Sequence, residues 1–388
     1  MTALPLRTFL FTAALVADQV AFAQPAIQRI AKPGATGTAA AVRVADGPLV
    51  FTGQFSATNP EADTRAQADG ALLALAAALE KSGSDLAHVV RLNAYVASDA
   101  AVRAVEAAMA TRWAAAPPAC TLVRTPLASE GALVAFDAVA ASSRAAGSVE
   151  ILENGCAILP AGGKVFVSGQ APKGADLGSS AKLTMDAMFR TLTHVGLSKA
   201  DVVQVKAFIR PFTDHAAATR EIAATFDGKP APPIVLLEWR SDLFSEIELV
   251  ASAEALPPPA GDSIAFTFLP WHPRSPRYCH ITHVAAGTPL IFIGGIAGID
   301  GEEPRAQMKT IFERLGSVLF EAGSSYRHLA KATYYLADPK AQSLLGEIRG
   351  VYFDPARPPA ASAIRIGAGL GHAGRAAMLD MIAVPAGR

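Results

Sequence analysis

Two glutamates in the middle third of the chain carry side chains suited to acid–base chemistry. The sequence Glu246-Ile247-Glu248 runs into the apolar stretch "LVASA". A carboxyl group beside a partly dry cleft can serve as a general acid or base, because burial raises its pKa toward a useful range. The alternative is a pair of surface glutamates on a sheet edge, and the sequence leaves both interpretations open.

Cysteine is the second residue type that could do chemistry. The chain has Cys120, Cys156 and Cys279, an odd number too scattered for a disulfide framework. Cys120 would be a nucleophile if a base or a positive charge lowered its pKa. No histidine lies near it in the sequence, and the alternative is a small buried hydrophobe.

The segment "WHPRSPRYCHITH" at 271–283 suggests a metal site, since it holds three of the eight histidines beside Cys279. In a strand, Cys279 and His283 would lie about 13 Å apart on one face, too far for ligands bonded to one ion at roughly 2 Å. A rigid linker anchored by aromatic residues is the ordinary interpretation. The glycines of "GAGLGHAG" at 367–374 lack the helix that a dinucleotide motif requires. We predict no metal and no cofactor.

Composition indicates a globular protein with more than one core. The 388 residues are 51% hydrophobic and 18% charged, so two or three domains are expected. Basic and acidic residues number 34 each, and there is no run of like charge. Nucleic acid is therefore not predicted as a partner.

The first residues have the pattern of a secretory signal. An arginine precedes an apolar stretch from Phe9 to Ala17, and Ala21-Phe22-Ala23 fits a small-x-small cleavage site. We predict residues 1–23 to be removed and the mature protein to be exported, periplasmic or secreted; a buried N-terminal helix is the alternative. No other stretch approaches the roughly 20 apolar residues of a membrane span, so no membrane is predicted as a partner.

One sequence of elements occurs three times. The strands "LVFTGQ" (49–54), "VFVSGQ" (165–170) and "IFIGGI" (291–296) are each followed by an apolar stripe of helical period and a stop glycine, at Gly83, Gly196 and Gly323. β-rich runs follow at 89–96, 202–209 and 329–336.

Each unit then continues in the same way to its end. A second helix runs to an aromatic residue, a proline pair opens a strand, and an apolar strand closes the unit. Small, polar or proline-rich junctions at 140–148 and 254–263 suit linkers. The predicted domains are residues 24–146, 147–258 and 259–388.

This order of elements, with "SGQ" after an early strand, a proline before the penultimate strand and "EIE" in the last, resembles the Rid family of RidA/YjgF-like proteins over essentially the whole mature chain. The resemblance implies α+β domains of the chorismate-mutase-like fold, each a mixed sheet with two helices on one face. Family members are homotrimers with ligand clefts between subunits. Three tandem copies imply a pseudo-trimer within one chain, monomeric or further associated, whose clefts are free to differ.

The family's carboxylate-binding arginine is absent from all three copies. Catalytic members hydrolyse enamines and imines, and an arginine two residues after the proline of the penultimate strand holds the substrate carboxylate in a bidentate pair. That position holds Cys120 in the first copy, Ile234 or Val235 in the second, depending on which proline is aligned, and Ala361 in the third.

The resemblance implies site residues mainly in the second copy. The first glutamate of "EIE", associated in the family with positioning a water or shuttling a proton, is Glu246; Ala135 and Met378 replace it in the other copies. Gly169 and Gln170 of "SGQ" and Glu248 complete the implied substrate-binding set in that copy.

Two arginines could replace the missing one. Arg124 and Arg365 lie four residues beyond Cys120 and Ala361, on the same face of each strand but about 13 Å further along. They are either a relocated substrate-binding site or members of a structural Arg124–Glu238–Arg365 cluster across the unit interfaces.

Three functions are compatible with the sequence. The first is a Rid-type hydrolase of small imines or enamines with at most one working cleft, the one containing Glu246. The second is a non-catalytic pseudo-trimer that binds an uncharged small molecule in apolar clefts. The third is a structural or interaction module.

Overall fold

The computed structural model describes residues 24–254, 256–257 and 259–387. The predicted signal sequence, with its cleavage site after Ala23, lies outside this range. Within these residues the fold is mixed α+β, with six α-helices and two β-sheets. None of the helices in the described ranges is long and apolar enough to cross a membrane.

The elements fall into three consecutive units. The first unit spans residues 27–141 and consists of β1 Ile27–Ala31, β2 Ala39–Val44, β3 Leu49–Thr52, β4 Phe55–Ser56, α1 Thr64–Lys81, β5 Val89–Val96, α2 Asp99–Arg112, β6 Ala119–Arg124 and β7 Val134–Ala141.

The second and third units have the same order of elements as the first, except that neither has a counterpart of β4 among the described residues. The second unit, residues 150–252, consists of β8 Glu150–Ile151, β9 Cys156–Leu159, β10 Lys164–Gln170, α3 Leu177–His194, β11 Val202–Ile209, α4 His215–Ala224, β12 Ile234–Glu238 and β13 Ser245–Ser252. The third unit, residues 264–383, consists of β14 Ile264–Thr267, β15 Ile281–Val284, β16 Leu290–Ala297, α5 Pro304–Glu321, β17 Leu329–Leu336, α6 Ala341–Tyr352, β18 Ala360–Arg365 and β19 Ala377–Ala383.

Local sequence signals explain where these elements begin and end. The Asp63 and Asp176 side chains cap α1 and α3 by accepting backbone N–H bonds. Gly83, Gly196 and Gly323, which follow the long helices, have φ of 71°, 83° and 71°, a left-handed conformation that favours glycine. The predicted strands 89–96, 202–209 and 329–336 are confirmed as β5, β11 and β17.

The two sheets are not confined to single units. One sheet has six strands in the order β12-β11-β13-β10-β15-β14, and the other has thirteen and includes strands of all three units. The second strand of each unit pairs with the third strand of a neighbouring unit: β2 with β16, β9 with β3 and β15 with β10. This pairing satisfies edge strands that would otherwise expose unpaired backbone groups.

Apolar residues form a core in each unit and a further core between the units. Each helix pair packs on strands of its own unit and on the second strand of a neighbouring unit, in three separate buried clusters. Val90, Val203 and Ala330, the second residues of β5, β11 and β17, are buried in one cluster shared by all three units. The three central strands therefore meet at equivalent positions.

Polar side chains next to this shared cluster connect the units in a cycle. Arg91, Gln204 and Lys331 each follow the shared apolar position, and each side chain reaches a neighbouring unit. Their partners are the Asp380 carboxylate at 2.8 Å for Arg91, the Thr52 carbonyl at 3.0 Å for Gln204 and the Glu248 carboxylate at 2.5 Å for Lys331.

Candidate functional site

The sheet register determines which residues are equivalent in the three penultimate strands. Cys120 pairs with Leu92, Ile234 with Val205 and Ala361 with Ala332, and these partners directly follow Arg91, Gln204 and Lys331. Ile234, rather than Val235, is therefore the counterpart of Cys120 in the second unit.

Glu246 lies at the contact between the second and third units. A Cβ added to Gly169 would be 2.0 Å from Glu246 Oε1 and 2.7 Å from Ser362 Oγ, so both side chains lie close to this glycine. Gly169 belongs to β10 and Ser362 to β18. The structure thus brings Glu246 and Gly169 together as the sequence suggested, and adds Ser362 from the third unit.

The surroundings of Glu246 favour its protonated form. Burial is the main cause that raises its pKa to about 7, and the nearby carboxylate of Glu248 acts in the same direction. Ser362 and Lys331 act in the opposite direction. The Ser362 hydroxyl lies beside the carboxyl group without the geometry of a regular hydrogen bond. Near neutral pH, Glu246 therefore exists in both protonation states.

A cavity of about 610 Å³ borders the same glycine. Gly169 and Gln170 form part of its wall, and the remaining lining residues come from positions 171–172, from α3 and from the 271–280 segment. The Gln170 amide donates to Thr191 Oγ1 at 2.8 Å, which fixes its orientation within the second unit. Glu246 itself lies behind Gly169 rather than among the lining residues.

The 271–283 segment forms one side of this cavity and is held in place by aromatic contacts. Trp271 packs edge-to-face on His194 at 5.0 Å, and the guanidinium of Arg190 lies 4.1 Å from the Trp271 ring centroid. These contacts agree with the interpretation of an aromatic-anchored linker. Among the described residues no group of three or more His, Cys, Asp or Glu side chains is placed to hold a metal ion.

His280 presents a neutral imidazole to the cavity. Burial lowers its pKa to about 4, and stacked His272 acts in the same direction. The backbone N–H of Leu269 donates to His280 Nδ1 at 3.1 Å, so the proton of the neutral ring is on Nε2. His280 is therefore a hydrogen-bond donor without charge.

Glu248 forms an ion pair in the interior, and its predicted substrate-binding role stays a prediction. Its side chain is buried and accepts a bond of 2.5 Å from Lys331 Nζ of the third unit. Within the described residues, Glu248 is absent from the walls of four cavities, of about 870, 450, 530 and 610 Å³. Its effect on the candidate site is electrostatic, through the raised pKa of Glu246.

The cleft between the first and third units contains Cys120 and has no carboxylate at the position of Glu246. Met378 occupies that position and lines a cavity of about 450 Å³ together with Cys120. Burial raises the pKa of the Cys120 thiol to about 12, so the thiol is neutral at physiological pH and a poor nucleophile. His372 lines the same cavity, although it is remote in sequence, and lies 3.3 Å from Glu106.

The cleft between the first and second units is occupied by a side chain of the protein. The Gln54 amide donates to the Leu236 carbonyl and accepts from the Leu236 N–H, both at 3.1 Å. Ala135 stands at the position of Glu246. This cleft therefore lacks the carboxyl group and is bridged by backbone-directed hydrogen bonds.

The predicted Arg124–Glu238–Arg365 cluster does not form as a set of ion pairs. Arg124 binds Asp99 of its own unit at 2.9 Å, because α2 places that carboxylate within reach of the end of β6. Glu238 and Arg365 both line a cavity of about 870 Å³, but no ion pair joins them within the described residues. The Glu238 N–H instead bonds Thr125 Oγ1 at 3.0 Å.

Two residues of these clefts are not indicated by the sequence patterns. Ser362 directly follows Ala361 in the penultimate strand, but an isolated serine carries no chemical signal of a role. Lys32 reaches the cavity of Cys120 from the start of the chain, and only the fold brings these two residues together.

Comparison with known proteins identifies the family. The model of the family described as Endoribonuclease L-PSP matches residues 30–142 and 275–370, more than half of the chain. The chain belongs to the Rid family. Most of the second unit, with Glu246, lies between the two matched segments of this Rid protein.

Individual Rid relatives cover parts of the chain. A RutC family protein of Synechocystis is 37% identical over 60 residues, 16% of this chain and 46% of the relative, so the match spans about half the relative's length. NMB1025 of Neisseria meningitidis, a YjgF family protein, covers 32% of this chain and 97% of its own at 21% identity and a TM-score of 0.25. Rv2704 of Mycobacterium tuberculosis covers 30% and 99% at 29% identity and a TM-score of 0.23.

Proposed function

We propose that this Rid protein is a pseudo-trimer of three Rid-like domains, residues 24–146, 147–258 and 259–388, exported after removal of residues 1–23. The recurring order of elements supports this arrangement. So do the cyclic strand exchange between units and the equivalent burial of Val90, Val203 and Ala330. Fusion explains why the three clefts contain different residues, since each copy can change alone.

We further propose that the protein hydrolyses small imines or enamines in the cleft between the second and third units. The observation that carries this proposal is the partly buried Glu246, with a pKa of about 7, set against Gly169 and facing Ser362 across the unit boundary. A carboxyl group that titrates near the working pH suits proton transfer in both directions.

Glu246 can supply the proton transfers of both stages of this reaction. As a carboxylate it accepts a proton from the water whose oxygen bonds to the imine carbon, and as a carboxylic acid it returns that proton to nitrogen, which gives a carbinolamine. It then takes the proton of the carbinolamine hydroxyl and delivers it to the amine nitrogen, so that the C=O bond forms as the C–N bond breaks with its electron pair on nitrogen. The products are a carbonyl compound and ammonia, and an enamine enters the same route after protonation at carbon.

The residues near this site favour a substrate without a carboxylate. Ala361 occupies the place of the family's arginine, so no guanidinium is available there for a bidentate pair. The cavity beside Gly169 offers a neutral His280 donor and aromatic walls instead. Its wall also holds the Arg190 guanidinium, which lies against the Trp271 ring, and the Asp186 carboxylate of opposite charge. Because these two charges balance, an uncharged imine fits the cavity better than an amino-acid derivative.

The test is ammonia release from short-lived imines generated in situ, with the mature protein and with Glu246→Gln. We expect the amide to abolish turnover, because it can neither accept nor return the proton. Wild-type turnover should change through a pKa near 7, and Glu153→Gln, an exposed residue of the same unit, should retain full activity. No acceleration over buffer for any of several imines, or full activity in Glu246→Gln, would reject the proposal.

A non-catalytic binding function is the second candidate. It is favoured by the cleft of Cys120, which has a cavity but no carboxyl group at the position of Glu246. RNA cleavage, which the family description names, has no support in the charge balance of 34 basic and 34 acidic residues.

A further inference from the structure

A cavity of about 870 Å³ lies where the carboxyl ends of the three penultimate strands meet. All three units contribute to its wall, through residues that follow β6, residues around the end of β12, the connection from β11 to α4, and Arg365 at the end of β18. It shares no lining residue with the cavities beside Gly169 and Cys120. This cavity is therefore distinct from the candidate site of imine hydrolysis, and its ligand does not depend on that reaction.

Three arginines of this wall lie next to one another. Arg210 donates to the Ser241 carbonyl, and the backbone N–H of Arg240 bonds the Arg365 carbonyl at 2.9 Å across the boundary between the second and third units. Within the described residues none of these three guanidinium groups has an ion-pair partner. Because guanidinium groups bind phosphate oxygens in bidentate pairs, this part of the wall suits a phosphate dianion.

The same wall holds carboxylates that form no ion pair among the described residues, namely Glu130, Glu238 and Asp242. Glu238 lies near the arginines, since a Cβ added to Gly367 would be 2.5 Å from Arg240 Nε and 2.8 Å from Glu238 Oε2. Charges of both signs thus border one small space without pairing. A ligand with an anionic group and an ammonium group close together would satisfy both.

Buried aromatic side chains form the floor of the cavity. Trp239 is 7% and Phe212 8% exposed, and Leu127 lies in the same wall. The volume is within the range of small-molecule sites and leaves room for an apolar substituent on the ligand. From these features we propose that the cavity binds a phosphate monoester that has an ammonium group on the adjacent carbon and an apolar substituent. Arg240 and Arg365 hold the phosphate, and Glu238 holds the ammonium group.

The experiment is isothermal titration calorimetry of the mature protein at about pH 7.5, where a phosphate monoester is mostly a dianion. The probe is phenylalaninol phosphate, which should bind saturably. Each comparator lacks one group: 3-phenylpropyl phosphate the ammonium, phenylalaninol the phosphate, and phosphoethanolamine the ring. Each should bind at least roughly tenfold more weakly. Glycerophosphoethanolamine, a diester like a lipid headgroup, has one negative charge fewer and should bind more weakly than phosphoethanolamine.

Substitutions test the two charged contacts separately. Arg365→Gln should weaken the binding of phenylalaninol phosphate and of 3-phenylpropyl phosphate by roughly tenfold each. Glu238→Gln should weaken only phenylalaninol phosphate, by a similar factor, because a carboxylate attracts the ammonium group and repels a ligand that is only an anion. Arg103→Gln removes an exposed arginine of α2 outside the cavity wall and should leave both affinities unchanged.

Four results would overturn the proposal. They are no saturable binding of phenylalaninol phosphate, wild-type affinity in Arg365→Gln, an equal loss for both phosphates in Glu238→Gln, and tighter binding of the diester than of the monoester. Glu246→Gln should bind phenylalaninol phosphate normally. Intact binding in this variant, whether or not the wild type hydrolyses imines, would support a site that is independent of the proposed reaction.

Discussion

At the scale of single residues, the property that suits Glu246 to proton transfer also reduces stability. Its pKa in the folded chain is about 7, against an ordinary value of 4.5. Between these pH values the folded chain binds a proton that the unfolded chain has released. Stability from this group is therefore greatest below about pH 4.5 and falls as pH rises through 7.

Glu246→Gln should consequently stabilise the protein at high pH. The neutral amide avoids the cost of a partly buried charge. The full pKa difference corresponds to about 3.4 kcal/mol, and partial exposure of Glu246 to solvent reduces the expected gain in the free energy of unfolding at pH 8 to about 2 kcal/mol. At pH 4, where the glutamate is protonated, the two proteins should be equally stable. Urea denaturation at both pH values measures the difference.

Glu153→Gln serves as the exposed control for this prediction and should show no such pH dependence. Equal stability of wild type and Glu246→Gln at pH 8 would mean that the carboxyl group is well solvated when charged. That outcome would remove the electrostatic basis of the candidate site.

At the scale of elements, equivalent strands place the same residue type in different surroundings. Gly169 follows the buried residues of β10 and lies beside Glu246 and Ser362, which leave no room for a Cβ at this position. Gly53 has the corresponding place after β3, and a Cβ there would meet its nearest atom, the Gly155 carbonyl oxygen, at 3.4 Å. One glycine is required by a close contact, and the other is not.

Gly169→Ala should therefore impair both folding and activity. The new methyl group must displace the Glu246 carboxyl group, and overpacking of this kind costs roughly 1–3 kcal/mol. Gly53→Ala, at the equivalent position, should change stability by less than about 1 kcal/mol. Thermal unfolding and the imine assay provide the two measurements, and equal effects of the two substitutions would contradict the close contact between Gly169 and Glu246.

At the scale of the whole molecule, buried polar pairs make the units depend on each other. Lys331 and Glu248 are both largely buried and join the third unit to the second. Arg91 and Asp380 join the first unit to the third in the same manner. Because sheets also cross the boundaries, the chain should unfold as one cooperative system.

Lys331→Met should lower the stability of the entire chain. It leaves the buried Glu248 carboxylate without its partner, which typically costs about 3–5 kcal/mol. Lys309→Met, which removes an exposed pair with Glu313 at 3.7 Å, should change stability by less than about 1 kcal/mol. Calorimetry should show a single transition for all three proteins, and a separate early transition of the third unit in Lys331→Met would refute interdependence.

Much of the fold was accessible from the sequence because its signals are local. The bounds of β5, β11 and β17, the stop glycines and the proline-led penultimate strands follow from periodicity and backbone preference, which act within a few residues. Glu246 was accessible as well, since it lies in a short motif. Lys32 and Ser362 were not, because neither residue carries a local signal of its role.

The order of elements, its recurrence along the chain, the absence of the arginine from every copy and the absence of the glutamate from two copies can all be read from the sequence. The sequence does not reveal which units meet at each cleft, that Glu246 faces Ser362 of the third unit, or that Gln54 bridges another cleft, which are visible in the folded chain. Nor does it reveal that Arg124 binds Asp99 rather than Glu238. These two kinds of information differ because propensity and periodicity depend on residues that are neighbours in the sequence. Contact, burial and the pKa values that burial sets depend on residues that are far apart in the sequence.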